Sequence, residues 1–423
     1  MPSAAAEVQR TRMPAWPARL PFYYGWVSVV VAATAMSATL PGRTHGLGMI
    51  TKPLTADATL GVNELLFSGL NFWAVLIGSA LCLPVGRRID RLGARPVLVG
   101  VAGGLGLAVL GMSVASSAAI LFVTLLLVRG LGQGALSLVS MSLVGKWFTR
   151  RLGPAMGVFT VLLAFGFIAG TVGLGEAVKA YGWRSAWAGL GWLLLLGLAP
   201  FGWLFTRSSP EAIGVSIEGA KVAEQVTATD LTLGTAIRTP AFWVFTLAMA
   251  LFNLVWSAIT LFSESILAEH GLDNDTFILV MAVLVFSGLP TNLLAGWLAA
   301  RWSMGRLIAI GMVVLAASLA AFPWVANSGQ AVGYATGLGI AGGIITVVFF
   351  AIYAHAFGRR HLGAIQAVVQ VISVFASALG PLLITMVRVR TGSYDTLFPV
   401  WAGIAAVLAV GCWVVRLPGR IPG

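Results

Sequence analysis

Charge is scarce in this chain. Of 423 residues, only 9% are Asp, Glu, Lys or Arg, against about 25% in a soluble globular domain. With 58% hydrophobic residues beside that figure, there is too little polar surface to cover a water-soluble globule, and the composition is that of a polytopic membrane protein. Acids are scarcer than bases, 14 against 26, for a formal charge of +12. That excess does not indicate a nucleic-acid partner, because the basic residues fall in short gaps between apolar runs and not on a water-facing domain. The two cysteines, Cys82 and Cys412, lie in apolar stretches where a thiol packs as a small hydrophobe, and they suggest neither a disulfide framework nor a metal site. Also missing are a P-loop, an H-E-x-x-H pair, paired intramembrane aspartates and a nucleophile with its base. An ATP-driven pump and a membrane enzyme are therefore excluded, and no cofactor is called for.

What is present is length in apolar runs. A bilayer core about 30 Å thick needs about 20 apolar residues per helix, and twelve runs of that size occur. They are numbered here as spans 1 to 12: residues 22–42, 65–86, 96–115, 118–144, 153–175, 184–205, 241–262, 276–299, 306–325, 331–354, 364–387 and 396–415. The fold class is an all-α integral membrane protein with twelve transmembrane helices in two pseudo-symmetric six-helix bundles. The opening MPSAAAEVQRTRMPAWPARLP places arginines before an apolar run as a signal peptide does, but the run is too long and lacks a small-residue cleavage site, so it is kept as span 1. Nineteen of the 26 Lys and Arg fall in the amino terminus, the loops after even-numbered spans and the carboxyl terminus, and six on the opposite side. By the positive-inside rule both termini are cytoplasmic, in a cell (inner) membrane.

The domain division follows from polarity: a cytoplasmic tail over 1–21, a six-helix bundle over 22–205, a linker over 206–240, a second bundle over 241–415 and a tail over 416–423. The linker holds Glu211, Glu218, Lys221, Glu224 and Asp230. A repeat relates the two bundles. Gly86-x-x-x-Asp90-Arg91-x-Gly93-x-Arg95 has a worn counterpart 210 residues later in Gly296-x-x-x-Ala300-Arg301, and WFTRRLGPAMG (147–157) is echoed by AFGRRHLGAIQ (356–366). Two six-helix halves in the same orientation are the parallel-repeat plan of a transporter that rocks around a central site.

On these residues the chain resembles the major facilitator superfamily. The Gly86 to Arg95 segment is similar to its signature in the loop between helices 2 and 3, and Arg129-Gly-Leu-Gly-Gln133-Gly134 is similar to its second motif, in helix 4. YYGWVSVVVAATAMSATLPGRTHGLG (23–48) and RSSPEAIGV (207–215) are similar to bacterial members near the monocarboxylate and oxalate/formate exchangers. Those relatives carry charged side chains in helices 8 and 11, whereas span 8 here has none and span 11 has only Arg388 just past its end. The resemblance implies a latch between the halves made of Gly86, Asp90, Arg91, Gly93 and Arg95. In it Gly86 allows close approach, Asp90 meets the amino-terminal end of helix 11, and the arginines surround the carboxylate.

Other residues are singled out by their own pattern. Arg129 lies at the centre of a helix, where an arginine costs roughly 2.5–3.5 kcal/mol on insertion scales and faces either a cavity or a packing partner. Helical spacing extends it to Gln133, Ser137 and Ser140. Similar stripes are Asn253, Ser257, Thr260 and Glu264 in span 7, and Gln366, Gln370, Ser373 and Ser377 in span 11. Such stripes wall an aqueous cavity or join helices by hydrogen bonds. Arg43 follows Pro41-Gly42, in the position where the monocarboxylate-type relatives place a cationic substrate contact; an external loop charge is the other reading. The expected substrate contacts are Arg43, Arg129, Gln133, Asn253, Ser257, Tyr353 and Gln370, with Glu264 for proton coupling. Trp73 and Trp256 are further candidates for the cavity wall, and His45 and His355 for interface positions. The expected activity is secondary active transport of a small organic anion, with proton symport or exchange. Proton-coupled efflux of amphiphilic compounds and a non-transporting solute receptor are the alternatives. The partners are the small-molecule substrate, a coupled proton and membrane lipid, and the chain acts as a monomer.

Overall fold

The computed structural model describes residues 21–213, 215 and 230–417. The linker residues Glu218, Lys221 and Glu224, and most of both tails, lie outside the described residues. Regular structure among the described residues is helical throughout. Ten helices are long and apolar enough to cross a membrane. One of them, Leu152–Phe205, runs 54 residues, nearly three bilayer thicknesses at 1.5 Å per residue. It breaks at Gly182, whose φ of 78° is open to glycine but strained for other residues, and so supplies spans 5 and 6.

The twelfth crossing is span 1, and here the sequence expectation is corrected. It does not end at residue 42. Gly25–Ser37 is followed by a 3-10 turn, Leu40–Gly42, and then by a second helix, Thr44–Thr55. The second piece carries Thr51, Lys52 and Pro53 among its apolar residues, so a window that averages hydropathy passes over it. It nonetheless buries Leu47, Ile50 and Leu54 on one face, at the i, i+3, i+7 spacing of an amphipathic helix. Arg43 is thereby the joint within a broken span, not a charge beyond its end.

The other spans are Glu64–Ser79 with Cys82–Leu92 (span 2), Ala94–Ser113 (3), Ala118–Trp147 (4), Pro240–Glu269 (7), Asn274–Ala299 (8), Met304–Ala321 (9), Ser328–Phe357 (10), Leu362–Thr391 (11) and Leu397–Val414 (12). Within the first half, span 1 packs on 5, 2 on 4 and 3 on 6; within the second, 7 packs on 11, 8 on 10 and 9 on 12. The second set is the first shifted by six spans, the repeat seen in the sequence. The halves meet where span 2 packs on 11 and span 5 on 8.

The end that carries the 2–3, 4–5, 8–9 and 10–11 loops, here called the basic end, is shut. Two glycine crossings close it. A Cβ on Gly86 would run into the carbonyl of Gly363, and one on Gly363 would lie 2.6 Å from the carbonyl of Gly86. On the other side of the seam, a Cβ on Gly153 would lie 2.7 Å from the Gly296 carbonyl, and one on Gly296 2.7 Å from the Gly153 carbonyl. Both pairs are backbone-to-backbone contacts of the kind small residues permit in membranes, and the 210-residue repeat exchanges one for the other. Hydrogen bonds between the two bundles gather from the level of Gln133 to this end: Gln370 to the Gln133 carbonyl at 3.3 Å, Ser142 to Gln366 at 2.7 Å, Arg359 to the Lys146 carbonyl, and Asp90 to span 11. The molecule is therefore closed at the basic end.

Candidate functional site

The break in span 1 creates the site. Pro41 has no N–H to continue the helix, and the chain tightens to i→i−3 bonds, Gly42 N to Thr39 O at 2.9 Å and Arg43 N to Leu40 O at 3.0 Å. Arg43 itself is extended, with φ −102° and ψ 156°, and its own carbonyl starts the next helix by accepting from Leu47 N. The Gly42 carbonyl is left without a helical partner at that joint. Arg129 supplies one, with Nη1 at 3.1 Å.

Span 4 is shaped to receive this joint. Residues Arg129–Leu136, R-G-L-G-Q-G-A-L, form a π-helical turn, a local widening that commonly marks functional positions. Its glycines admit neighbouring backbone: a Cβ on Gly132 would lie 3.0 Å from the Gly42 Cα, and one on Gly130 2.7 Å from the Gly78 carbonyl of span 2. Arg129 is 3% exposed. Besides Gly42 it donates to Asn71 Oδ1 at 2.8 Å, Gln133 Oε1 at 3.2 Å and Thr44 Oγ1 at 3.5 Å. Every acceptor is neutral and belongs to the first bundle. Arg129 is thus placed as the packing partner that pins spans 1, 2 and 4 together, and Nη2 is the one nitrogen of its guanidinium without a hydrogen bond among the described residues.

Arg43 is different. It is half-buried, and its Nε donates to Thr39 Oγ1 at 3.0 Å and its Nη2 to Ser137 Oγ at 3.0 Å, with Met36 Sδ at 3.7 Å. The Phe167 ring of span 5 faces the guanidinium, 5.4 Å from Cζ to centroid. Nη1 makes no hydrogen bond among the described residues, and neither Arg43 nor Arg129 forms an ion pair there. The guanidinium is held in orientation by hydroxyls and a π face while one edge stays open and its charge stays uncancelled.

The expected residues of the second half separate into two groups. Asn253, Trp256 and Thr260 are half-buried and Glu264 is exposed; 3.6-residue spacing gathers them on one face of span 7. Asn253 and Thr260 bond only back to their own helix, and Glu264 bonds to neither guanidinium. Ser257 instead donates to the Ser377 carbonyl at 2.7 Å, joining span 7 to span 11. Tyr353 is a correction: at 1% exposure it is sealed inside the second bundle, bonded to Thr246 at 3.1 Å and packed among Phe242, Phe349 and Phe357. Periodicity alone does not tell an aromatic on a cavity face from one on a packing face. Gln370 and Gln133 meet across the halves, Gln370 Nε2 donating to the Gln133 carbonyl. Trp73 is 54% exposed, two residues and so about 200° round the helix from Asn71. His355 lies exposed near the basic end of span 10, and the His45 side chain is outside the described residues.

At the basic end Asp90 accepts from the amides of Gly363 (3.0 Å) and Ala364 (2.8 Å) at the start of span 11, as the resemblance implied. The arginines do not surround it. Arg91 is exposed, and Arg95 turns to span 6, donating to the Trp203 carbonyl at 2.8 Å and lying 4.2 Å over its ring. Gly93, at φ 85°, makes the turn between spans 2 and 3. The cation beside Asp90 is Lys146 of span 4, at 3.2 Å, which sequence reading treated only as an orientation charge. Arg359 adds a second tie, to the Lys146 carbonyl and to Glu211 at 3.2 Å. Burial works to raise the Glu211 carboxyl, but a hydrogen bond from Ser209 and the Arg359 charge outweigh it and hold it below the usual range. Asp90→Asn puts an amide donor where Asp90 now faces only donors, leaving one group unsatisfied at about 1–3 kcal/mol. Spectroscopic distances between the basic ends of spans 2 and 11 should lengthen and turnover should slow; unchanged distances with full transport would remove the latch.

Comparisons with known proteins show the fold and the family. Monocarboxylate transporter 13 of Rattus norvegicus is 27% identical over 355 residues, covering 82% of this chain and 79% of the relative. The Bos taurus protein of the same name is 25% identical over 355 residues, with 82% and 80% covered. The crystal structure of the human organic anion transporter MFSD10 (TETRAN) superposes with a TM-score of 0.65 over 92% of this chain and 98% of that one, at 16% identity, which speaks for the fold. The sequence profile of the Major Facilitator Superfamily matches residues 22–381 and 265–423, so the chain belongs to that family and is a multi-pass membrane transporter, not an enzyme.

Proposed function

We propose that this transporter carries a small organic anion of the monocarboxylate kind by alternating access across the cell membrane, with the basic end cytoplasmic and shut in the state described. The observation that carries the reading is the state of Arg43: a half-buried guanidinium, oriented by Thr39, Ser137 and Phe167, with Nη1 unbonded and no carboxylate beside it among the described residues. A carboxylate docked on that open edge gains charge-assisted hydrogen bonds of the strong class. The two relatives named as monocarboxylate transporters are consistent with that choice. Export of an amphiphilic cation would instead ask for an acid at the site, and Glu264 bonds to neither guanidinium.

The test is a thermal-shift screen of the purified protein against carboxylates and amphiphilic cations. A ligand at 100 times its Kd stabilises the native state by about 2.7 kcal/mol. Carboxylates should raise the melting temperature and amphiphilic cations should not; the reverse result would transfer the protein to the export class.

Arg129→Gln is a control on the division of labour. It strips donors from the Asn71 side chain and the Gly42 carbonyl, at roughly 1–3 kcal/mol for each acceptor left bare. The expected result is a lower melting temperature even without ligand. A stable variant that has lost only its carboxylate response would move Arg129 from the scaffold into the binding site.

A further inference from the structure

We infer that the groove between spans 9 and 12 binds an anionic phospholipid, with one acyl chain lying in the groove and the phosphate meeting Arg306 at the basic end. Neither Arg43 nor Arg129 takes part. Short side chains make the groove: Ala309, Val313 and Ala316 of span 9 and Ala406, Val410 and Trp413 of span 12 line about 430 Å³, within the range of about 300–1,000 Å³ typical of small-molecule sites. Val313, Val410 and Trp413 are more than half exposed, so the groove opens on the bilayer and not into the bundle. Its depth fits one leaflet. Ala316 lies ten residues beyond Arg306, about 15 Å along a helix and half of a hydrocarbon core about 30 Å thick.

An apolar groove takes any lipid tail; the charge at its end selects the head group. Arg306, Ile310 and Val313 lie at i, i+4 and i+7 on one face of span 9, and the Arg306 guanidinium lies over the Trp413 ring, 5.6 Å from Cζ to centroid. It thus stands at the mouth of the groove. The side chain is exposed and makes no hydrogen bond or ion pair among the described residues. The repeat supplies a comparison within the molecule. Trp203 precedes Trp413 by 210 residues and Arg95 precedes Arg306 by 211, and that first pair is closed: Arg95 lies 4.2 Å over the Trp203 ring and donates Nε to the Trp203 carbonyl at 2.8 Å. Spans 3 and 6 are also tight below it, where a Cβ on Gly106 would lie 2.9 Å from the Gly191 carbonyl. Ala316, in the groove wall, stands 210 residues after Gly106. The same arginine and tryptophan are therefore used within the protein in one bundle and left for a partner in the other. Arg416, exposed two residues beyond the end of span 12, adds charge of the same sign at this end. A phosphate on the Arg306 guanidinium gains charge-assisted, bidentate hydrogen bonds, and basic residues at this level draw anionic lipids. A choline head group brings a cation of its own to the same arginines.

The experiment uses the full-length protein in detergent, with phosphatidylglycerol, phosphatidylcholine of the same acyl chains and glycerol 3-phosphate as probes. Binding is read by native mass spectrometry and by thermal melting. Phosphatidylglycerol should bind about tenfold more tightly than phosphatidylcholine and raise the melting temperature. Glycerol 3-phosphate, a head group without a tail, should do neither. Arg306→Gln should bring phosphatidylglycerol down to the level of phosphatidylcholine, and Arg306→Lys should keep part of the preference. Ala406→Leu, at an exposed helical position that accepts a larger side chain, fills the groove and should weaken both lipids severalfold. Equal binding of the two lipids by the wild type, a preference that survives Arg306→Gln, or binding untouched by Ala406→Leu would each reduce the contact to ordinary boundary lipid and overturn the site. A thermal shift with glycerol 3-phosphate equal to that with phosphatidylglycerol would assign Arg306 to a free phosphate instead. A dimer that Ala406→Leu dissociates would make the groove a contact between two copies of this chain. Either result also overturns the lipid site.

Discussion

Arg43→Gln should weaken carboxylate binding by roughly ten- to a hundredfold, the equivalent of about 1.5–3 kcal/mol for hydrogen bonds to a charged group. The residue is positioned for this loss to be direct. Its Nε and Nη2 are engaged by Thr39 and Ser137, so the guanidinium is already oriented before a ligand arrives, and an oriented donor binds without an ordering cost. Gln keeps a donor but neither the charge nor the fork. Arg43→Lys should recover part of the affinity, because it restores a point charge without the bidentate edge. An amphiphilic cation would respond in the opposite sense, binding as well or better once the positive charge is gone. Calorimetry on wild type, Arg43→Gln and Arg43→Lys separates these cases. Carboxylate affinity within a factor of two of wild type in Arg43→Gln would end the anion reading.

Gly86→Ala should have a large effect on transport. The added carbon would meet the Gly363 carbonyl and lie 2.6 Å from the Ala367 Cβ. Neither obstacle is the flexible end of a side chain, so span 2 and span 11 must move apart. That separation also draws Asp90 away from the amides of Gly363 and Ala364. Distances between spans 2 and 11 should lengthen at the basic end, and turnover should fall by about tenfold or more, in line with the 1–3 kcal/mol typical of an overpacked contact. The fold of each bundle should survive, since the contact lies between the halves and not inside either. Normal transport with unaltered distances would show that the seam tolerates a methyl group and is looser than described.

The twelve crossings were legible because lipid demands long apolar runs, and eleven of them lie close to where hydropathy puts them. Span 1 was misjudged for a physical reason. Its outer helix, Thr44–Thr55, buries only one face, so its polar residues dilute the average while its packing depends on Leu47, Ile50 and Leu54. At the basic end, Gly86 and Asp90 could be read because close approach and a helix amino terminus each call for a particular residue type. Lys146 could not, because a lysine near the end of a span serves orientation and ion pairing equally well. Within the site, Arg43 and Ser137 lay on visible patterns. Asn71, the single amide in the apolar run of span 2, was a usable signal for a partner of Arg129. Phe167 gave none, being one apolar residue among many in span 5.

The two glycine crossings at the basic end are alike in shape but unequal in chemistry. The Gly86–Gly363 side carries Asp90, two amide bonds and Lys146. At the repeat-related position on the Gly153–Gly296 side stands Ala300, whose methyl offers the start of span 5 no counter-charge. Ala300 therefore cannot repeat the carboxylate tie of Asp90, and opening the basic end costs the Gly86–Gly363 side charge-assisted hydrogen bonds that the repeat does not duplicate at residue 300.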